Sequence, residues 1–157
     1  MKKVDALLSD YAFFHQTPGN KICHFIGIPL IILSLLALLR SIVILGWFTA
    51  AEILILLSFI YYLMLDFRLA IGMLLAVCAL DAVAWKITDI RIGLAVLIIG
   101  WIFQGIGHAV YEKRSPAFTR NLVHLMVGPL FLLNEVLRVR PVSIPGNSAG
   151  ESPALHR

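Results

Sequence analysis

The chain has 157 residues, of which 60% are hydrophobic and 14% are charged, and its formal net charge at pH 7 is +4. This composition excludes an ordinary soluble domain and places the chain among membrane proteins. Its length allows about four spanning helices of roughly 20 apolar residues each, and leaves no room for a second soluble domain. We attribute the positive charge to the cytoplasmic flanks of these helices and predict no nucleic-acid partner.

The first 21 residues predict a short amphipathic helix followed by a turn. Apolar residues between Val4 and Phe14 recur at helical spacing, and Thr17-Pro18-Gly19-Asn20 is typical of a turn. We expect this helix to lie in the plane of the membrane interface. Because polar residues interrupt the start of the chain, the apolar run that begins at Ile22 is expected to be an uncleaved anchor, not a signal peptide.

Four apolar segments follow, and each is expected to cross the membrane once. They comprise residues 22–39, 42–65, 69–85 and 92–111. A further apolar segment, residues 121–137, is short and contains His124, Gly128-Pro129 and Glu135. We predict an interfacial or re-entrant helix there, with a fifth span as the alternative.

The predicted fold is therefore all-α. It is a polytopic membrane protein with four transmembrane helices plus N-terminal and C-terminal interfacial or re-entrant helices. Residues 1–140 are expected to form a single integral membrane domain. Residues 141–157 are rich in Pro, Gly and Ser and are expected to form a disordered tail.

The distribution of basic residues predicts the sidedness of the protein. With four spans, both chain ends and the turn at residues 66–68 share one side, which carries ten of the thirteen Lys and Arg residues. Because cytoplasmic flanks are enriched in these residues, we expect both termini in the cytoplasm. The membrane would be a bacterial inner membrane or one of the ER type.

Four of the five histidines fall at one level of this predicted topology. His15 precedes the first span, His24 lies in its first turn, and His108 lies in the last turns of the fourth. His124 follows in the next helix, so all four lie just inside the cytoplasmic boundary, whereas His156 lies in the tail and is excluded. Imidazole nitrogens favour zinc, copper, iron or nickel over magnesium or calcium. These four histidines are therefore the candidate metal ligands.

Polar residues one helical turn from the histidines are candidates for supporting groups. Asn20 precedes His24 by four residues, and Gln104 and Glu112 flank His108 at the same spacing. Such side chains can orient the second ring nitrogen of a metal-binding imidazole. We expect Asn20, Gln104 and Glu112 to act in the catalytic site, with metal binding as the alternative for Glu112. Three glycines are expected to permit close approach of backbone or ligand: Gly105, Gly107 and Gly128.

The sequence lacks the patterns of several other chemistries. It has no Ser-His-Asp pattern, no thiolate motif, no Gly-rich phosphate loop that opens a helix, and no paired HxxHH boxes. A mononuclear or compact histidine-rich iron centre is the chemistry that these residues favour. Three alternatives stay open: a haem-binding electron carrier with His24 and His108 as axial ligands, a zinc hydrolase, and a non-catalytic membrane scaffold or transport component.

Three sequence blocks together resemble a known family. The blocks are His15-x4-Asn20-x3-His24-x2-Gly27-x-Pro29, Gln104-x2-Gly107-His108-x3-Glu112-x3-Pro116-Ala117, and His124-x3-Gly128-Pro129. They resemble the small membrane-protein family that contains the fungal 2-hydroxy fatty acid dioxygenase of phytosphingosine breakdown. The resemblance extends from about residue 11 to residue 137, and the middle helices carry no motif.

The resemblance implies an Fe(II)-dependent enzyme of fatty acid α-oxidation. A 2-hydroxy fatty acid and O2 would yield the acid one carbon shorter, CO2 and water, without 2-oxoglutarate, flavin or nicotinamide. It implies that His15, His24, His108 and His124 bind the iron, and the distribution of basic residues predicts that this site lies on the cytoplasmic side of the membrane. Lys113, Arg114 or Arg120 are expected either to hold the substrate carboxylate or to anchor the helices at the interface.

Overall fold

The computed structural model describes residues 3–113 and 122–142, which form a helical bundle with one small hairpin. In chain order the elements are α1 (Lys3–Phe13), α2 (Pro18–Arg40), β1 (Val43–Leu45), β2 (Phe48–Thr49), α3 (Ala50–Leu65), α4 (Phe67–Ala84), α5 (Ile90–Ile106), a π-helix (Gly107–Glu112) and α6 (Val123–Leu137). The all-α prediction is confirmed. Of the predicted tail, residues 143–157 lie outside the described residues.

Three of these helices are long and apolar enough to cross a membrane. They are Pro18–Arg40, Phe67–Ala84 and the continuous helix Ile90–Glu112. The helices α3 and α6 are also apolar but shorter, with 16 and 15 residues. At 1.5 Å per residue they reach about 24 and 22 Å, less than the roughly 30 Å of a bilayer core.

The segment predicted as the second span contains the helix α3, but the predicted start of that helix at residue 42 was wrong. Residues 43–49 form an antiparallel hairpin, whose turn contains Gly46 with φ +56°. The helix begins only at Ala50, because Thr49 and Glu52 form a capping box at its start. The Glu52 carboxylate accepts a hydrogen bond from the Thr49 N–H at 2.8 Å. Local capping thus overrides the continuous hydropathy of residues 42–65.

Helix α2 is the centre of the bundle and contacts every other long helix. Its closest partner is α5, which it meets through glycines. A Cβ added to Gly27 would lie 2.8 Å from the carbonyl oxygen of Gly100, so only glycine fits there. This contact fixes the register between the helix that carries His24 and the helix that leads to His108.

An ion cluster closes the end of the bundle away from these histidines. The Arg40 guanidinium at the end of α2 pairs with Asp81 of α4 and lies 3.1 Å from the Glu52 carboxylate of α3. It also stacks over the Trp85 ring at 4.0 Å. Because these side chains are largely buried, the charges are stable there only as a group.

Side-chain contacts hold α1 and α6 at the opposite end. Val4, Leu8 and Tyr11 of α1 are buried, and the Tyr11 ring lies 5.1 Å from that of Phe131 in α6. The Tyr62 hydroxyl of α3 donates to the Met126 carbonyl at 2.9 Å. The predicted N-terminal helix is present, and its apolar face packs on α6.

Candidate metal centre

Three elements bring three histidines together at one end of the bundle. His15 lies in the connection between α1 and α2, His24 lies in α2, and His108 lies in the π-helix. All three side chains are buried, and one ligand atom from each lies within 4.8 Å of the other two. His15 Nε2 and His24 Nε2 are 3.1 Å apart. Residues far apart in sequence thus form one compact imidazole cluster.

Backbone hydrogen bonds fix the tautomers of two of these rings. His15 Nδ1 lies 2.7 Å from the Tyr11 carbonyl oxygen, and His24 Nδ1 lies 2.9 Å from the Asn20 carbonyl oxygen. A carbonyl oxygen only accepts, so each Nδ1 carries the proton and donates it. In a neutral ring the opposite nitrogen, Nε2, then has a free lone pair. The two Nε2 atoms that lie 3.1 Å apart therefore both carry a free lone pair.

Two unprotonated nitrogens at this separation repel each other unless a cation lies between them. Metal–imidazole bonds of about 2.0–2.1 Å place two adjacent ligands about 3 Å apart when the angle at the metal is near 90°. The observed 3.1 Å fits this arrangement. The donor set of neutral imidazoles with hydrogen-bonded Nδ1 groups is also the one that transition metals prefer.

The ring of His15 is neutral at physiological pH. Burial disfavours the charged imidazolium, the neighbouring His24 adds to the effect, and together they lower the pKa of His15 to about 3. A neutral ring does not need to lose a proton before it binds a metal. Tyr11 stacks on this ring at 3.9 Å, and burial raises the pKa of its phenol, so the hydroxyl stays protonated.

The π-helix places His108 against α2. A Cβ on Gly107 would lie 2.5 Å from Asn20 Oδ1 and 3.4 Å from His24 Nδ1. Gly107 and Gly128 therefore permit the close approach that their sequence context predicts. Gly105 does not, because nothing lies within 4 Å of a Cβ built there. His108 Nδ1 is buried and has no hydrogen-bond partner among the described residues.

Glu112 binds the turn that carries His15. Its carboxylate accepts hydrogen bonds from the backbone N–H groups of Gln16 and Thr17 at 3.2 and 3.1 Å. It also accepts from the Thr17 hydroxyl at 2.9 Å and from Asn20 Nδ2 at 3.1 Å. The alternative of Glu112 as a metal ligand is disfavoured, because both of its oxygens accept hydrogen bonds from this turn and the group of close ligand atoms comprises His15, His24 and His108 without it.

His124 lies beside the cluster and has a different partner. Its Nε2 is 2.9 Å from Asp10 Oδ2, so this nitrogen carries a proton that the carboxylate accepts. Its Nδ1 is buried without a partner among the described residues. Asp10 was not recognised in the sequence, because the pairing joins α1 to α6 across 114 positions. No spacing along the chain could have revealed it.

A cavity of about 490 Å³ extends from the histidines into the bundle. His15, His24, His108, His124 and Gln104 line one end of it. The other lining residues are mostly apolar, with the hydroxyl-bearing Tyr11, Ser58 and Tyr62 among them. Gln104 Nε2 is buried and has no hydrogen-bond partner within the described ranges. The polar end therefore offers one amide donor and four imidazoles in a largely apolar space.

The basic residues after the π-helix contribute no described side chain to this cavity. Lys113 ends the π-helix with φ 53°, is exposed, and does not line the cavity. Arg114 and Arg120 lie outside the described residues. Glu135 of α6 pairs with Lys21 of α2 at 3.3 Å.

The geometry argues against an axial haem pair. Two axial imidazoles would bind from opposite faces of a porphyrin, with each ligating nitrogen about 2 Å from the iron and each ring centroid farther out. The ring centroids of His24 and His108 are only 4.9 Å apart, the two rings are at 87° to each other, and His15 is adjacent to both. This arrangement leaves no room for a porphyrin between them.

Fold and site together define an all-α membrane protein with a buried three-histidine cluster at the polar end of an apolar cavity. The chain belongs to the family described as 2-hydroxy-palmitic acid dioxygenase Mpo1-like, whose model matches residues 1–139. It is 35% identical over 134 residues to the 2-hydroxy-palmitic acid dioxygenase MPO1 of Saccharomyces cerevisiae, covering 83% of this chain and 77% of the yeast protein. No solved structure is significantly similar to the chain.

Proposed function

We propose that this protein is an Fe(II)-dependent dioxygenase that converts a 2-hydroxy fatty acid and O2 to the fatty acid one carbon shorter, CO2 and water. The observation that carries the proposal is the pair of facing Nε2 lone pairs of His15 and His24 at the head of an apolar cavity. The substrate class comes from the family and from the yeast relative, which is named for 2-hydroxy-palmitic acid.

The proposed iron ligands are His15, His24 and His108, with His124 Nδ1 as a fourth candidate. Iron supplies the one-electron and O2 chemistry that amino-acid side chains lack. Zinc would suit the same imidazoles but has no redox chemistry, so the proposed reaction favours iron. The hydrogen bonds from Nδ1 of His15 and His24 to backbone carbonyls hold both rings in the tautomer that leaves Nε2 free.

The remaining residues would bind and orient the substrate. Gln104 Nε2 is a buried donor without a described partner, and we assign to it a hydrogen bond to the carboxylate or hydroxyl oxygen of the 2-hydroxy acid. Asn20 and Glu112 would hold the His15 turn against the π-helix. The aliphatic wall would enclose the acyl chain and exclude water.

We also propose the arrangement in the membrane. Four helices would cross it: α2, α3, α4 and Ile90–Glu112. Leu45 and Trp47 of the hairpin are 79% and 76% exposed, and they would lie at the membrane interface next to the start of α3. Helix α6 would lie against the bundle without crossing. Both termini and the histidine cluster would then face the cytoplasm, where ten of the thirteen basic residues lie.

The proposal is tested by the metal content, visible spectrum and O2 consumption of anaerobically purified protein. We expect one iron site per chain, no Soret band, and O2 uptake with 2-hydroxypalmitate but not with palmitate. His24→Ala and His108→Ala should lose both iron and activity. Lys86→Ala, outside the cavity, is the matched control.

Three results would overturn the proposal. A Soret band would indicate a haem carrier, and stoichiometric zinc with hydrolase activity would indicate a zinc enzyme. Folded protein that fails to bind added Fe(II) would indicate a scaffold without a metal centre.

A further inference from the structure

The cavity continues well beyond the histidines. From His24 to Leu36, α2 lines it over twelve residues, a length of about 18 Å at 1.5 Å per residue. The helix Ile90–Glu112 lines the same cavity from His108 to Leu97, a length of about 16 Å. The lining residues of two different helices thus give similar values for the depth of the cavity.

The lining residues farthest from the histidines along four helices are aliphatic: Leu36, Leu54, Val77 and Leu97. Leu36 and Val77 are buried, with 1% and 8% of their surface exposed. Beyond them, α2, α3 and α4 are tied together by the ion cluster around Arg40. The ion cluster therefore holds three of the four helices together beyond this end of the cavity.

Resting on the proposed function, we propose that these four residues form a wall that sets the maximum chain length of the 2-hydroxy acid. An extended alkyl chain advances about 1.2 Å per bond, close to the value for an extended backbone, so a depth of about 16–18 Å accommodates roughly 14 bonds. The longest acid that fits with its hydroxyl and carboxylate at the histidines therefore has about 16 carbons.

The inner and outer surfaces of α4 offer a matched pair of variants. Val77 lines the cavity, whereas Leu75 is 67% exposed on the outer surface of the same helix. Val77→Phe would shorten the space by about two carbons, and Leu75→Phe adds a ring of the same kind outside it. Leu54→Ala would lengthen the space from α3 and tests the wall in the opposite direction.

The experiment is a competition assay in nanodiscs under anaerobic conditions, in which turnover is blocked. Labelled 2-hydroxypalmitate on the full-length protein is displaced by unlabelled 2-hydroxy acids from about 10 to 22 carbons, at equal mole fraction in the bilayer. Because the chain leaves lipid and not water, methylenes within the cavity add little affinity, and those beyond its end lower it. We expect near-constant affinity up to about 16 carbons and at least a tenfold loss by about 20.

The variants decide between the outcomes. Val77→Phe should move the limit to about 14 carbons, Leu54→Ala should move it to longer chains, and Leu75→Phe should leave it unchanged. A limit that moves with neither cavity variant would overturn the role of the wall while leaving the proposed reaction intact. If the chain-length limit moves as expected but the protein binds no iron and takes up no O2, the dioxygenase proposal is wrong and the cavity only binds acyl chains. Absence of any binding would overturn both.

Discussion

At the scale of single residues, the site depends on which nitrogen of each imidazole carries a proton. His15 and His24 each donate from Nδ1 to the backbone carbonyl four residues earlier. His124 is protonated on the opposite nitrogen, because Asp10 accepts from its Nε2. The cluster therefore presents Nε2 lone pairs from His15 and His24, and beside it the Nδ1 atom of His124 is buried without a partner among the described residues.

Gly107 and Gly105 provide a prediction about close packing. In Gly107→Ala the new Cβ would lie 2.5 Å from Asn20 Oδ1 and 3.1 Å from Cys23 Cβ, so Asn20 must shift and Cys23, the neighbour of His24, must give way. We expect a loss of about 1–3 kcal/mol in stability, typical of overpacking, together with lower iron occupancy. Thermal unfolding and iron analysis in detergent measure both quantities.

Gly105→Ala is the matched control for this prediction. It lies two residues away, and its Cβ would meet nothing within 4 Å. It should retain wild-type iron occupancy. Equal iron loss in the two variants would show that glycine flexibility, and not close packing at Gly107, is what the site requires.

Asp10 provides a second prediction. Carboxylates that accept from a metal-binding histidine typically contribute 10–100-fold to metal affinity or activity, so we expect Asp10→Asn to cost roughly this factor. Iron titration and O2 uptake measure it. Asp89→Asn, a helix cap outside the cavity, should have no effect on either quantity. Wild-type values in Asp10→Asn would exclude His124 from the metal centre.

At the scale of elements, the π-helix and the α1–α2 connection form one unit. A π-helix is rare and often marks a functional site. Here its last residue, Glu112, accepts hydrogen bonds from the turn that begins α2, where Thr17 is the N-cap. The two histidine-bearing segments, around His15 and His108, are thereby tied to each other.

Glu112→Ala should remove the hydrogen bonds that join the π-helix to the α1–α2 connection. Hydrogen bonds to a charged group contribute roughly 1.5–3 kcal/mol, so we expect a comparable loss of stability and a larger loss of iron occupancy. Glu135→Ala is the control, because its partly exposed ion pair with Lys21 is worth at most about 1 kcal/mol. Differential scanning fluorimetry and iron analysis would show the contrast. If both variants keep full iron occupancy, the hydrogen bonds to Glu112 do not position His15.

At the scale of the whole molecule, the connection between α3 and α4 is tied to the chain after α6. The Asp66 carboxylate caps α4 through the Leu69 N–H at 3.0 Å and pairs with the Arg140 guanidinium. Burial alone would raise the pKa of Asp66, but the hydrogen bonds from Arg140 and Leu69 outweigh it and hold the pKa below its usual value.

This pair predicts how stability changes with pH. Because the folded-state pKa of Asp66 is lowered, its contribution is present above the unfolded-state pKa of about 3.9 and is lost as the pH falls through the folded-state value. Arg140→Gln should therefore lower the Tm at pH 7 and lower it by less near pH 3. Arg138→Gln, whose guanidinium is not paired with Asp66, is the control. An equal Tm difference at both pH values would contradict the role of the pair.

Sidedness can be tested on intact cells. In a background without Cys23 and Cys78, a cysteine at Ser41 should react with a membrane-impermeant maleimide, and one at Lys3 should react only after permeabilisation. This follows from four crossings with cytoplasmic termini. Labelling of Lys3→Cys alone in intact cells would indicate the reverse orientation. Labelling of both positions would contradict the proposed number of crossings.

The sequence by itself determined the class of protein and the level at which the site lies. Hydropathy and helical spacing are local properties, so they predicted the helices, the turn before α2, and the common level of His15, His24 and His108. The hairpin at residues 43–49 was missed because it is as apolar as the helix that follows, and only the turn at Gly46 and the cap at Thr49 distinguish it.

Only the tertiary structure decided what each polar group contacts. Glu112 and Thr17 are 95 positions apart, and His124 and Asp10 are 114 apart, so no pattern along the chain relates them. The facing Nε2 atoms of His15 and His24, and the depth of the cavity behind them, depend on how α2, α5 and the π-helix pack. Residue type and spacing along the chain indicate which groups are candidates for the site. The packing of the helices decides which of these groups come into contact, because a hydrogen bond or a metal bond depends on distance in space.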